Sequence, residues 1–213
     1  MQALLEYLDT ASIPSQDRPN VSSTPVRSIT LGMVNKRQSG YGISAATTLD
    51  KLRLLQLLIS VANDLGVVGN GPECFTSMCL NVNFASQLHT DSNNADIPSW
   101  IVAGGEFNGG ALFVEKDADD VREERCSIEH ANSQVEGVSV DIKNSWYKFD
   151  GSKRHCTLPY TGFRVSIVYF SVPTDRCDIT DLARLNHVGF KIPYASPLGI
   201  PLPWPYQVFI WTT

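Results

Sequence analysis

The sequence predicts a mainly β protein with flanking helices, arranged as a sandwich, a barrel or a jelly roll. The first observation is a series of short segments rich in β-branched and aromatic residues, among them FTSMCLNVNF, SWIVAGG, ALFVE and RVSIVYFSV. The second is that Gly, Asn, Asp and Pro separate these segments, as they do in turns between strands. The third is the length of 213 residues with 43% hydrophobic residues, which suits one substantial core. We therefore expect a single domain over residues 1–213.

The first part of the chain, residues 1–70, is predicted to form an N-terminal arm and a supporting helix. Residues 10–30 are rich in Ser, Pro and Thr, which indicates an extended and partly ordered segment. Over residues 48–65 apolar side chains recur at helical spacing, and Gly66 follows in the position of a C-cap. We expect this helix to pack its apolar face on a sheet.

The predicted β core extends over residues 71–175. Within it, residues 116–137 are charged and show no periodicity, which indicates an insertion or a long loop between strands. Residues 176–213 end in a Pro-rich tail, and such tails mostly wrap the outside of their own domain. We therefore expect a C-terminal wrap after the core.

The charge balance and the termini limit the partners that the chain can have. With 17 Lys+Arg against 22 Asp+Glu, the net charge is −5. Proteins that neutralise many phosphates usually have a basic balance, so contact with nucleic acid would need a local patch. No segment approaches the roughly 20 apolar residues of a membrane span, and the N-terminus lacks the features of a signal peptide. We expect an intracellular soluble protein, nuclear or cytoplasmic, with no membrane partner.

A candidate metal site begins at His89-Thr90-Asp91, directly after the strand-like segment LNVNFASQL. On an extended strand residues i and i+2 point to the same face, so the imidazole and the carboxylate would project together into the interior. His155, in the turn FDGSKRHCTLP, would supply a third ligand. Two histidines and one carboxylate form the facial triad that leaves open positions on Fe(II). A zinc hydrolase could use similar ligands, so the triad alone does not identify the metal.

Arg164 and Ser166 open the segment RVSIVYFSV, a short distance after His155. The alternation of a strand predicts that both side chains face inward beside the metal. A guanidinium and a hydroxyl in that position could hold the distal carboxylate of 2-oxoglutarate, whose keto-acid end would chelate iron. The combination favours an iron oxygenase over a zinc hydrolase.

The order strand, His-x-Asp, long middle, His and Arg-x-Ser resembles the 2-oxoglutarate/Fe(II) dioxygenase superfamily, whose core is a double-stranded β-helix of jelly-roll or cupin-like form. The segments HTDSNN, PSWIVAGGEFNGGALFVE and WYKFDGSKRHCTLPYTGFRVSIVYFSV are similar to the TET/JBP branch, especially its small algal and protist members. The resemblance covers residues 73–172. It implies iron ligands at His89, Asp91 and His155, an oxoglutarate anchor at Arg164 with a supporting contact at Ser166, and either a further contact or a structural role at Asn83.

The same resemblance implies Fe(II), 2-oxoglutarate and O2 as cofactor and cosubstrates, with ascorbate as an expected stimulant. TET/JBP relatives oxidise the methyl group of 5-methylcytosine or thymine, so a methylated nucleobase in nucleic acid is the implied substrate. DNA is then expected to contact a local basic patch of Lys36, Arg37, Lys153 and Arg154. Two alternatives stay open at this point. One is a hydroxylase of a protein side chain or a small metabolite, on which the acidic net charge places no penalty. The other is a barrel that binds without catalysis.

Overall fold

Strands predominate in the computed structural model, which describes residues 1–36, 39–64, 66–117 and 121–193. Within these residues the α-helices are α1 (Gln2–Leu8), α2 (Leu52–Ala62) and α3 (Ile179–His187), and single 3-10 turns occupy Leu49–Lys51 and Thr174–Arg176. The strands are β1 (Ser15–Gln16), β2 (Val26–Asn35), β3 (Tyr41–Ile43), β4 (Ser77–Val82), β5 (Ser99–Gly104), β6 (Phe107–Gly109), β7 (Leu112–Val114), β8 (Glu123–His130), β9 (Ser133–Val140), β10 (Tyr147–Phe149), β11 (His155–Thr157), β12 (Tyr160–Gly162) and β13 (Val165–Phe170).

Two antiparallel sheets form the body of the protein. The larger sheet has the order β1-β2-β4-β13-β5-β10, with β3 paired to β2, and the smaller sheet has the order β11-β7-β9-β8. Beyond β11, an isolated antiparallel bridge between His89 and His155 extends the smaller sheet by one more chain segment. Strands β6 and β12 form a separate antiparallel pair.

The path of the chain between these sheets is that of a double-stranded β-helix. From β4 onward the chain passes to the His89 segment, back to β5, across to β7 and β9, back to β10, across to β11 and finally back to β13. Apolar side chains from both sheets pack together between them, among them Ile101 and Phe149 from one sheet and Leu112 and Val140 from the other. The jelly-roll fold predicted from the sequence is confirmed.

The central strands are buried on both faces. Alternate side chains along each strand therefore face two different environments. On β13, Ile167 and Tyr169 belong to the cluster that includes Leu54 and Leu58 of α2, and the Tyr169 hydroxyl donates to the carbonyl of Leu58 at 2.7 Å. Ser166, Val168 and Phe170 instead line the space between the sheets. Helix α2 therefore covers the outside of the larger sheet, as its apolar periodicity predicts, and leaves the inner face to the site.

Several segments differ from what the sequence predicts. The ten-residue strand β2 begins inside the predicted arm and pairs with β4 from Arg27 to Gly32, so the arm region contributes to the larger sheet. Residues 116–137 are predicted to be an insertion or a long loop between strands, and the structure places most of the β8–β9 hairpin there rather than a loop. The division into arm, core and C-terminal wrap stays a prediction, and the Pro-rich tail from residue 194 lies outside the described residues.

Within the part of the chain that the structure describes, none of the helices combines the length and the apolar content that a membrane span needs.

Candidate metal centre

The structure brings His89, Asp91 and His155 together between the two sheets. The backbones of the two histidines are paired, since His89 N–H donates to the carbonyl of His155 at 3.1 Å and His155 N–H donates back at 2.9 Å. Asp91 N–H donates to the carbonyl of Gly151 at 2.8 Å, which brings the carboxylate over the same point. One potential ligand atom from each residue lies within 4.8 Å of the others, and the imidazole centroids are 4.3 Å apart. This grouping is the one that the sequence predicts.

Both imidazoles are oriented by backbone carbonyls. Nδ1 of His89 lies 2.7 Å from the carbonyl oxygen of Gln87, and Nδ1 of His155 lies 2.8 Å from that of Lys153. A carbonyl oxygen can only accept, so each Nδ1 carries the proton and each Nε2 presents its lone pair. The Nε2 atoms lie 3.7 Å and 3.8 Å from the two carboxylate oxygens of Asp91. One potential ligand atom from each residue therefore faces the same point, and both distances between imidazole and carboxylate are too long for a hydrogen bond.

The carboxylate of Asp91 is held from its outer side. Asn94 Nδ2 donates to Asp91 Oδ2 at 3.2 Å and also reaches Ser99 Oγ at 3.2 Å. A Cβ at Gly151 would lie 3.2 Å from Asp91 Oδ2, so the glycine lets the turn before His155 approach the carboxylate closely. Asn94 is thus a positioning residue for a candidate metal ligand.

The environment of His89 favours the neutral form that metal binding requires. His89 and His155 have side chains 10% and 6% exposed. Burial, together with the repulsion that a charged His155 would exert, lowers the pKa of His89, and this outweighs the opposing effects of the Gln87 carbonyl and Asp91. Metal binding then competes with little protonation at His89 near neutral pH.

We expect the metal-free protein to lose stability as the pH falls below 6.5, the ordinary value for histidine. In the unfolded chain His89 takes up a proton near that pH, whereas in the folded chain it resists protonation until a lower pH. The contribution of His89 to the free energy of unfolding is therefore fully present above pH 6.5 and declines below it. Thermal melting across a pH series on both sides of this value, for wild type and His89→Gln, checks this. The melting temperature of the variant should fall less on acidification than that of wild type. An equal fall in both proteins would contradict the lowered pKa of His89.

The triad opens into a cavity between the sheets that contains both polar and aromatic side chains. Ser166 lines it from β13, as predicted. Asn81 of β4 lines it beside Ser166, its partner in the strand register, and was not predicted. The signal for Asn81 was a polar residue inside a strand that is buried at every position. The remaining lining residues are Arg18, Val21, Thr30, Cys79, Phe84, Ser86, His89, Asp91, Asn94, Ile101, Leu112, Phe149, His155, Thr157, Val168 and Phe170.

Arg164 is two residues before Ser166 on the same face of the chain, but it does not line the cavity. Its side chain is 1% exposed, Nη2 donates to the carbonyl of Gly110 at 3.1 Å, and Cζ lies 5.5 Å from the ring centroids of both Phe107 and Tyr160. Nε has no hydrogen-bond partner, and no described carboxylate lies within 4.0 Å of the guanidinium. Burial lowers the pKa of Arg164 to about 10, so it stays charged at neutral pH.

Asn83 has a structural contact rather than a place in the cavity. Its side chain is exposed, it is not a lining residue, and its Oδ1 accepts a hydrogen bond from the backbone N–H of Arg164 at 2.9 Å. Its φ of +49° takes it out of the strand conformation that would have made it face inward with Asn81. The structural role that the sequence left open for Asn83 is the one that this geometry favours.

We therefore expect Asn83→Ala to destabilise the protein by about 1–2 kcal/mol, from a lost hydrogen bond and an alanine in left-handed conformation. Asn83→Gly should lose the hydrogen bond without the conformational strain and cost less. Chemical denaturation of wild type and both variants measures the difference. A raised KM for 2-oxoglutarate with unchanged stability would contradict this and restore the cosubstrate contact.

The predicted basic patch is only partly available for a partner. Arg154 forms a two-point ion pair with Glu115, Nε to Oε2 at 2.7 Å and Nη2 to Oε1 at 2.6 Å. Lys36 and Lys153 are exposed, and Arg37 lies outside the described residues. Because Glu115 N–H also donates to the carbonyl of Arg154, this pair joins β7 to the residue before His155. Contact of the patch with DNA stays a prediction.

Several solved structures match this chain. Among them is the crystal structure of an oxidoreductase of the 2OG-Fe(II) oxygenase family from Burkholderia pseudomallei, with a TM-score of 0.43 and 15% sequence identity over 78% of this chain and 77% of that chain. No protein-family model matches the sequence, and no curated protein matches it significantly.

Proposed function

We propose that this protein is an Fe(II)- and 2-oxoglutarate-dependent dioxygenase. The observation that carries the proposal is the triad of His89, Asp91 and His155, in which both imidazoles present an unprotonated Nε2 toward the same point as one carboxylate. Two histidines and one carboxylate leave open positions for O2 and a bidentate oxoacid, which is the ligand set of non-haem Fe(II) oxygenases.

The surroundings of Arg164 support 2-oxoglutarate as the cosubstrate. A buried guanidinium without a carboxylate is unfavourable unless an anion restores its hydrogen bonds. Arg164 has such an unsatisfied nitrogen, Nε, and lies on the same face of its strand as Ser166, which lines the metal cavity. A dicarboxylate that bridges from the triad to Arg164 would satisfy this nitrogen through a charge-assisted hydrogen bond.

The chain itself would supply positioning, binding and exclusion of water. Iron with 2-oxoglutarate and O2 supplies the oxidation of an unactivated C–H bond, with release of succinate and CO2. His89, Asp91 and His155 would hold the metal, and Ser166 with Arg164 would orient the cosubstrate. The ring of Phe149 packs edge-on against His155, with centroids 5.0 Å apart, and so covers one side of this candidate ligand.

We propose a methylated nucleobase as the substrate class, as the resemblance to TET/JBP proteins implies. A base that enters such a site from a duplex is flipped out, stacked between aromatic side chains and bound through its polar edge. The cavity offers aromatic rings at Phe84, Phe149 and Phe170 and amides at Asn81 and Asn94. These side chains support a planar substrate with hydrogen-bonding edges.

A second candidate is hydroxylation of a protein side chain or a small metabolite. It is favoured by the net charge of −5 and by the ion pair that engages Arg154, because both reduce the basic surface that DNA would contact. The chemistry at the metal would be the same in both cases. Only the substrate distinguishes them.

The experiment that tests the proposal measures metal, cosubstrate and product separately. Fe(II) binding is measured by titration of the metal-free protein, and succinate formation is measured with 2-oxoglutarate, O2 and ascorbate. Mass spectrometry of nucleosides after incubation with 5-methylcytosine-containing DNA then detects oxidised bases. Failure to bind Fe(II) or to form succinate with any substrate would refute the oxygenase, whereas succinate without oxidised bases would favour the second candidate.

A further inference from the structure

Arg18 comes from the N-terminal segment but lies at the metal cavity, a position that no sequence pattern predicts. It follows β1 and lines both the cavity and the polar depression that adjoins it. Val21 N–H and Ser22 N–H both donate to the carbonyl of Arg18 at 2.9 Å, which makes a turn. Val21 is 1% exposed, and its carbonyl accepts from Gln87 N–H at 2.8 Å. The backbone of Arg18 is therefore anchored close to His89.

The charge of Arg18 has no anionic partner in the described chain. Its Nη1 lies 3.6 Å from Cys79 Sγ, which is a weak acceptor. No described carboxylate lies within 4.0 Å of it, and the only acid that lines either the cavity or the depression is Asp91, a candidate metal ligand. A partly buried guanidinium that faces a cavity in this way is available to bind an anion.

The depression beside Arg18 supplies neutral hydrogen-bonding groups. Its lining includes the side chains of Asn20, Thr90, Ser92 and Asn93, at the outer side of the triad. Amides and hydroxyls of this kind contact phosphate oxygens in nucleic-acid complexes, alongside arginine. A base in the cavity would have its sugar and phosphate in this depression, because the two spaces share Arg18, Thr30, Asp91, Asn94 and Phe170.

We infer that Arg18 binds a phosphate of the nucleic-acid substrate, next to the base that enters the metal cavity. The inference rests on the proposed function and specifies how the substrate is recognised outside the reacting centre. A planar guanidinium can contact a phosphate through two parallel hydrogen bonds, and partial burial strengthens such a contact relative to the exposed lysines of the predicted basic patch.

The test is equilibrium binding of a fluorescein-labelled oligonucleotide that contains 5-methylcytosine, measured by anisotropy over a salt series in the absence of 2-oxoglutarate. We expect Arg18→Gln to weaken binding about ten- to a hundredfold, since hydrogen bonds to charged groups are among the stronger ones. The slope of log affinity against log salt should fall in magnitude by about 1. Arg18→Lys keeps the charge, so it should keep the slope and recover part of the affinity.

The matched control is Arg27→Gln. Arg27 is an exposed arginine on β2 that lines neither the cavity nor the depression, so the same change of charge should leave affinity and slope unchanged. In a second arm, 5-methyl-2′-deoxycytidine and its 5′-monophosphate compete for the site. Wild type should prefer the monophosphate, and Arg18→Gln should lose that preference.

The inference is overturned if Arg18→Gln binds like wild type, or if Arg27→Gln loses as much. It is also overturned if the wild-type protein binds no oligonucleotide while it binds Fe(II) and forms succinate. That last result would leave the oxygenase proposal intact and direct attention to a protein or metabolite substrate. Loss of Fe(II) binding is measured separately and bears on the proposed function alone.

Discussion

Asp91→Ala is expected to abolish Fe(II) binding and succinate formation while the fold is retained. Asp91 supplies the one carboxylate of the candidate ligand set, and its side chain is 26% exposed, so its removal disturbs little packing. Loss of an outer-shell partner of a metal ligand costs about 10–100-fold in affinity or activity, and loss of a ligand itself should cost more. Titration with Fe(II) and measurement of succinate check the result, with circular dichroism to verify the fold.

Asp96→Ala is the matched control for this prediction. Asp96 is an exposed acid in the same segment and does not line the metal cavity. The variant should bind Fe(II) and turn over like wild type. If Asp91→Ala kept native metal content and full activity, the assignment of the triad would be wrong.

Arg164→Met is expected to separate stability from cosubstrate binding. The substitution removes a buried charge that has no carboxylate partner among the described residues, so the free energy of unfolding of the protein without cosubstrate should be at least that of wild type. The affinity for 2-oxoglutarate should fall about ten- to a hundredfold or more, since charge-assisted hydrogen bonds contribute about 1.5–3 kcal/mol each. Chemical denaturation and the KM for 2-oxoglutarate measure the two effects.

Arg164→Lys is the informative companion, because it keeps the charge but lacks the planar fork. We expect it to bind 2-oxoglutarate with an affinity between those of wild type and Arg164→Met. A strong loss of stability in Arg164→Met with an unchanged KM would show that the guanidinium is a structural residue, and the cosubstrate would then need another anchor.

The parts of the fold that follow from local periodicity could be predicted from the sequence. Helix α2 shows a clear apolar stripe, and β13 alternates between a helix-covered face and a cavity face that carries Ser166. The two-residue spacing of His89 and Asp91, with His155 added, predicts the grouping of side chains that the structure shows. In each case the prediction depends only on residue types and on the spacing of residues close together in the sequence.

What could not be predicted depends on contacts between distant segments. Strand β8 is exposed at most positions, so it carries no alternating apolar pattern, and its turn to β9 uses Ala131 and Asn132 with positive φ but no glycine. The position of Arg18 at the cavity arises from the pairing of β1 with β2 and from the anchoring of Val21, neither of which has a local signal.

The carbonyl oxygens that accept hydrogen bonds from Nδ1–H of His89 and His155 belong to residues two positions earlier in the same chain segments. Metal sites commonly use a side-chain carboxylate for this purpose, and such a carboxylate can be lost by substitution. Here the orientation of both imidazoles depends on the backbone. Residues that line the cavity, such as Phe84, Asn81 and Arg18, can therefore change without rotating either ligand. Under the proposed function, substitutions in the cavity lining would therefore alter the choice of substrate while the orientation of the two imidazoles is retained.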